Sequence, residues 1–345
     1  MPIGTDLVLN EEREPEKVRL DGAALGRVVA RSARRWKTPL AIPLMDLRLE
    51  KADLLAGFAV SADNSEAFHF TASLENSALS QKCCDQNAAL GPGSRARNEA
   101  VTFIRSQQDL VAIGMTIGPF SLATRLMADP ITAAAMAGRG TSPSESDEVL
   151  LLHQCLELAE AAVRRSVTSQ IAHGARAMMI CEPAACKAFL SPRQIRSGSQ
   201  IFEKLVMAPN LRVKELLDSA NCDLFFHDCG ELTDEMVEEF ATRLHPVILS
   251  LGSSRKLWED ARLVPKDVVL FGNLPTKSFY SDSAMPVSKV IEQTGELRTK
   301  MKECGHPHIL ASECDVLFVA EAKQAIHAKV AAMMDGIGAR GDSLG

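Results

Sequence analysis

The chain has 345 residues, and its 38 Lys plus Arg against 44 Asp plus Glu give a formal charge of −6. That balance excludes a protein whose main task is wrapping nucleic acid, which needs a basic surface. With 46% hydrophobic and 24% charged residues the chain is built to fold, and with 5% aromatics it is a poor candidate for an antiparallel β architecture rich in Tyr and Trp.

The opening residues, MPIGTDLVLNEEREPEK, show no apolar stretch behind a basic region, so no secretory signal is read there and a cytoplasmic location is expected. The longest uncharged stretch, Leu110 to Thr124, is interrupted by Gly114, Gly118 and Pro119, and is too short and too broken to span a bilayer. Nine Cys is many, but an odd number argues against a closed disulfide framework. Without export the thiols stay reduced, which invites a search for metal ligands.

Residues 1–36 are charged and Arg-rich toward their end, and read as a helical N-terminal extension. Eight short apolar runs follow: 38–45, 66–72, 110–118, 176–183, 222–229, 246–252, 268–274 and 308–314. Each is nearly continuous, as expected of a parallel strand buried on both faces. Helical patterns separate the later runs, over 144–174, 192–220, 233–244, 286–304 and 319–334. Eight strand–helix units imply an α/β fold, a (β/α)₈ TIM barrel spanning 37–336, with an open doubly wound sheet as the rival. No G-x-G-x-x-G follows any strand, which weakens the dinucleotide form of that rival. Residues 76–98 and 138–147 read as loops, and 337–345 as a flexible tail.

In such a barrel, function gathers at the C-terminal ends of the strands. His227 and Cys229 end the fifth run two residues apart, so they share a face, and Cys314 ends the eighth. One imidazole and two thiolates suit zinc, and three protein ligands leave a fourth position open, as in catalytic sites. The bland alternative is a pair of small buried thiols and a satisfied core histidine. Cys155, Cys181, Cys186, Cys222 and Cys304 are read that way. Glu182 ends the fourth run and is a candidate ligand or acid–base group; the competing reading is a charge at a helix N-terminus. Asn273 is a candidate catalytic hydrogen-bonding residue or a turn former. Met45, Asp46, His69 and Phe120 are candidate substrate contacts, within a mouth expected to be apolar (Met45, Phe70, Phe120, Phe226, Phe271).

The segments IGPFSLA (117–123), EPAACKAFLSP (182–192), FFHDCG (225–230), LFGNLP (270–275) and ILASECDV (309–316) resemble the uroporphyrinogen decarboxylase superfamily, in order and spacing, over about Pro39 to Met334. The arginine motif R-Q-A-G-R-Y, with which the decarboxylases grip substrate carboxylates, is absent; the corresponding region reads PLAIPLMDLRLEK. His227-x-Cys229 with Cys314 instead resembles the zinc-dependent, corrinoid-linked methyltransferase branch. The resemblance implies a barrel, one Zn²⁺, and a cobalamin carried by a separate corrinoid protein, since no D-x-H-x-x-G pattern occurs in this chain. It implies methyl transfer between that cobalamin and a small methylated substrate or a thiol. An aryl methyl ether, the O-demethylase direction, is favoured by the apolar mouth and by the scarcity of cations, of which Arg48, Lys51 and Lys187 are the nearest. A coenzyme M-like thiol acceptor, a decarboxylase-like enzyme and a non-catalytic tetrapyrrole- or corrinoid-binding barrel are the alternatives. No nucleic acid or membrane partner is expected; a homodimer is allowed.

Overall fold

The computed structural model describes residues 4–75 and 89–338. Seven strands, β1 Leu40–Ala41, β2 Val111–Ile117, β3 Ala177–Cys181, β4 Asp223–Asp228, β5 Ile248–Leu251, β6 Val269–Leu274 and β7 His308–Ser312, form one sheet in sequence order. Every neighbouring pair is parallel. Helices return the chain between strands, the longest being Asp147–Ala172 and Val287–Cys304.

The sheet curls around an inner apolar core. Ile42, Ile113, Met115, Met179, Cys181, Phe225, Phe271 and Ala311 pack together there, with Ile248 against them. All seven strands, or the residue just beyond in the case of β1, feed this one cluster, as the period-two alternation requires of a sheet bent into a barrel. The opposite-facing residues, such as Met178, Ile180, Leu224, Phe226 and Leu270, join the larger core under the helices. The fold is thus a TIM-like α/β barrel.

The described residues contain seven strands, not eight. The segment 66–72 makes a single bridge, Phe70 to Met127, and its aromatics pack edge-on against one another and Phe58. β1 pairs directly with β2, Leu40 to Val111 and Ala41 to Ala112, so no strand fits between them. β1 itself is two residues long because Pro39 and Pro43 lack the N–H a ladder needs. The stretch expected as a loop over 76–98 is helical from Pro92, in Pro92–Arg105, and residues 76–88 lie outside the described residues, as does most of the expected tail. The helix expected over 192–220 is divided into Pro192–Arg196, Glu203–Met207 and Ala208–Ser219.

The N-terminal segment forms Thr5–Leu9, Pro15–Val18 and Gly22–Arg35. Its first helix is pinned across the two ends of the sheet. Thr5 donates to the Ile42 carbonyl beyond β1 (2.8 Å), and Asp6 accepts from the Phe318 amide beyond β7 (2.9 Å). No helix among the described residues is long and apolar enough to cross a membrane.

A buried polar cluster locks β2 to three helices. Arg97 pairs with Glu50 (2.6 Å) and donates to the Met115 carbonyl (3.1 Å) and to Ser166 (2.9 Å). Gln170 completes it, accepting from the Met115 amide and donating to the Met115 carbonyl, both at 2.9 Å. Removing one member of such a pair leaves a buried charge without a partner. Arg97→Met is expected to cost about 3–5 kcal/mol in chemical denaturation, and Arg97→Met with Glu50→Leu to recover most of it.

His308 Nε2 donates to the Gly272 carbonyl (2.9 Å), and burial pushes its pKa down to about 4, only partly opposed by that contact. His153, His306 and His327 shift the same way, each chiefly through burial. A histidine buried neutral favours the fold above its unfolded pKa, and that advantage is lost as the unfolded chain takes the proton. Stability is therefore expected to fall as pH drops from about 6.5 toward 4, and His308→Gln to flatten the slope in denaturation midpoints across that window.

Candidate metal centre

The C-terminal rim of the sheet brings together the three residues that the strand ends single out. One ligand atom each from His227, Cys229 and Cys314 lies within 4.8 Å of the others. His227 is on β4, in register with Cys181 of β3 and Ser250 of β5, and register partners in a parallel sheet share a face. Ser250 Oγ lies 2.8 Å from His227 Nδ1 and fixes the ring; the proton's position between them depends on the tautomer. His227 is 1% exposed, and its Nε2 has no hydrogen-bond partner. An orphaned buried imidazole nitrogen facing two thiols is what a metal ligand looks like before the ion is added. The donor set, one borderline nitrogen and two soft sulfurs, fits zinc with one position left over.

The two thiols already interact. A hydrogen bond to Cys314, reinforced by burial, pushes Cys229 up to about 12, and the same bond draws Cys314 below its ordinary value. Cys181 forms the floor; burial, then the neighbouring Cys314 and Cys229, hold it well above the usual thiol range. Met45 Sδ lies 4.0 Å from Cys314 Sγ, so of the expected substrate contacts Met45 stands at the centre.

Backbone close to Cys229 is positioned by glycine. A Cβ on Gly252 would lie 2.6 Å from the Cys229 carbonyl oxygen and 3.0 Å from its Cα. Gly252 is held in turn by Asn273, whose amide donates to the Gly252 carbonyl (2.8 Å) and the Arg255 carbonyl (2.9 Å). Asn273, expected among the catalytic groups, is thus committed to the loop behind Cys229.

Glu182 is not among the converging ligands. It is fully buried and accepts from the Phe120 amide (3.0 Å), the Ser121 amide (2.8 Å) and Asn210 Nδ2 (2.8 Å). It caps the helix Pro119–Arg125 across Gly118, where a Cβ would fall 2.1 Å from its carboxyl carbon. Burial raises its pKa despite those donors. Phe120 is fully buried between helices, edge-on to Phe189, and Phe226 packs on Phe240 in the outer core. Phe271 stacks on Phe225 inside the barrel, and Phe70 packs on its own segment. Phe70, Phe120 and Phe226 are turned away from the rim by alternation or by their own cluster, whereas Phe271 points into the barrel in the row of His227 and Ser250, so of the expected apolar mouth Met45 and Phe271 are on the inner side. His69 is exposed. Asp46 is engaged with Arg48 (2.8 Å); burial raises the carboxyl, but the guanidinium outweighs it and the net shift is downward. A cavity of about 240 Å³ opens beside that pair, under the N-terminal helices.

Sequence reasoning missed Ser250, Lys277 and Glu313. Glu313, 5% exposed, accepts from Ser253 Oγ (2.6 Å) and its amide (3.1 Å), and lies 4.0 Å from Lys277 Nζ. Asp228, on the opposite face of β4, is fully buried with Oδ1 on the Gly230 amide (2.8 Å) and Oδ2 unpartnered; burial holds it well above the carboxylate range. The carboxylate next to Cys314 had a sequence signal, its place at a strand end. The serine had the same signal, its place at the end of β5; the lysine had none.

The family model for uroporphyrinogen decarboxylase (URO-D) matches residues 85–335, more than half of the chain, and the protein belongs to that family. No curated protein matches the sequence. Among solved structures, a methyltransferase from Methanosarcina mazei is similar at a TM-score of 0.64 and 15% identity, covering 96% of this chain and 90% of that one. A putative vitamin-B12 independent methionine synthase from Listeria monocytogenes is similar at a TM-score of 0.48 and 12% identity, over 94% and 88% of the two chains. At 15% identity the first likeness establishes the fold and nothing further.

Because Gly252 touches Cys229 through backbone, Gly252→Ala is expected to lower zinc affinity roughly 10–100-fold without changing a ligand, the range seen for outer-shell changes. Cys229→Ala with Cys314→Ala is expected to bind no stoichiometric zinc while the far-ultraviolet circular dichroism stays native. Elemental analysis and a competing chelator measure both.

Proposed function

We propose that this protein is a zinc-dependent methyltransferase that moves a methyl group between a small substrate and the cobalamin of a separate corrinoid protein, with an aryl methyl ether as the favoured donor. The observation that carries the reading is the buried, partnerless Nε2 of His227 facing Cys229 and Cys314 at the rim of a barrel of this family. The missing arginine motif argues against tetrapyrrole carboxylates as substrates.

His227, Cys229 and Cys314 would hold the zinc. Bound there, zinc supplies Lewis-acid stabilisation of an oxygen or holds a thiol as thiolate. The chain's own groups do the rest. Ser250 sets the imidazole so that Nε2 faces the thiols. Gly252 and Asn273 fix the Cys229 backbone. Placing a substrate methyl group in line with an incoming nucleophile is worth several kcal/mol, and a rim built from rigid strand ends suits that demand.

Transfer to a thiol with an anionic tail is the second reading, supported by Lys277, a cation beside the cysteines. Anaerobic incubation of the zinc-loaded protein with cob(I)alamin and a panel of methoxylated aromatics is expected to produce the methylcob(III)alamin spectrum. The reverse mixture, methylcobalamin with thiols, tests the second reading. Silence in both directions, with zinc present and a cognate corrinoid protein supplied, returns the chain to the binding-barrel alternative.

A further inference from the structure

We infer that Lys277 donates a hydrogen bond to the oxygen that leaves when the methyl group is transferred, and so lets ethers of less acidic phenols serve as substrates; this rests on the methyl-transfer reading above. The loop after β6 carries Lys277 to the cysteines and is docked there by the residues flanking the metal centre. The Lys277 amide donates to Glu313 Oε1 (3.5 Å), Thr276 Oγ1 donates to the Cys314 carbonyl (3.5 Å), and Lys277 Nζ lies 4.0 Å from Glu313 Oε2. Glu313 is itself fixed by Ser253 from the loop after β5. Three consecutive strand ends therefore hold this one ammonium. Its side chain is 56% exposed, so N–H donors remain for a ligand. The same amine is within hydrogen-bonding reach of Cys229.

Three further cations on the strand-end side are committed elsewhere. Arg48 is held by Asp46 (2.8 Å), the buried Lys51 by the Glu66 carbonyl (2.8 Å), and Lys187 by Glu231 (3.1 Å).

The charge balance decides what Lys277 is for. Two thiolates leave a bound zinc formally neutral, a poor acceptor of negative charge. An ammonium beside Cys229 withdraws electron density from that ligand and offers a donor of its own. Both effects stabilise a departing oxyanion, and both would blunt a thiolate meant to attack. In the step, the methyl–oxygen bond breaks and its electron pair stays on the oxygen. The methyl group passes to a two-electron nucleophile, a cobalt(I) corrinoid, which is oxidised to cobalt(III) as the new bond forms. Lys277 donates to the phenolate without needing to release its proton.

The test uses the full-length protein, zinc-loaded and metal-stripped, as wild type, Lys277→Met and Lys277→Arg. The first readout is affinity for 4-nitrophenolate relative to its neutral analogue 4-nitroanisole. Wild type is expected to prefer the phenolate. Lys277→Met is expected to lose about tenfold or more of that preference in both metal states, the range for a hydrogen bond to a charged group, and Lys277→Arg to keep most of it. The second readout is demethylation of a series of substituted anisoles with free cob(I)alamin, where Lys277→Met is expected to steepen the dependence on leaving-phenol acidity. An active Lys277→Met enzyme with unchanged preference and slope overturns the role of Lys277 alone. So does an equal loss for 4-nitroanisole, or a selective loss for 2-mercaptoethanesulfonate over 2-mercaptoethanol. A wild type that demethylates no ether but methylates thiols overturns the ether reading, and this inference with it.

Discussion

Side chains on a strand alternate between faces, and partners in parallel register point the same way; the whole site follows from that constraint. The row Ile117, Cys181, His227, Ser250, Phe271 and Ile309 runs across six strands by direct register. Below that level the inward positions are apolar and fill the barrel. At the rim they become His227 and Ser250, with Cys229 one step beyond, and the curl of the sheet brings Cys314 from β7 to meet them. A slip of one residue in β4 would turn His227 into the helix layer and bring Asp228 inward, which would replace a neutral nitrogen ligand with a carboxylate.

Around the ligands the structure relies on backbone approach more than on side-chain packing. Gly252 and Gly118 serve the same purpose at two strand ends: each admits a neighbour closer than any Cβ would allow, the Cys229 backbone in one case and the Glu182 carboxyl in the other. Asn273 and Glu313 then tie the loops after β5 and β6 to each other and to the end of β7. The candidate metal ligands come from strands far apart in sequence, but the loops between them form one hydrogen-bonded collar.

The barrel was legible because parallel strands buried on both faces are nearly continuous apolar runs, and seven of the eight runs are strands. The eighth, 66–72, has the same composition, but its aromatics satisfy one another locally, which no pattern of residue types reveals. His-x-Cys was legible because the spacing of two is a property of the strand itself. Glu182, Phe120 and Phe226 were harder, since a residue at a strand end can face the mouth or the helices and only the register decides. Lys277 and Ser253 sit on loops, where a side chain's position depends on closure of the whole collar rather than on any local period.

The charges near the cysteines form a consistent set. Two thiolates would cancel a divalent ion bound there, and Glu313 faces Lys277 one layer out. Asp228 and Glu182 stand behind the same strand ends, and ionised they would add two negative charges to a wall already holding thiolates. Burial raises both pKa values, opposed at Glu182 by the Phe120, Ser121 and Asn210 donors and at Asp228 by the Gly230 amide. The ammonium of Lys277 is more than half exposed and can act on a group held at the rim. Within the proposed methyl-transfer reading, an exposed ammonium in the same collar as Cys314 suits a leaving group that needs stabilising better than an attacking group that needs freeing.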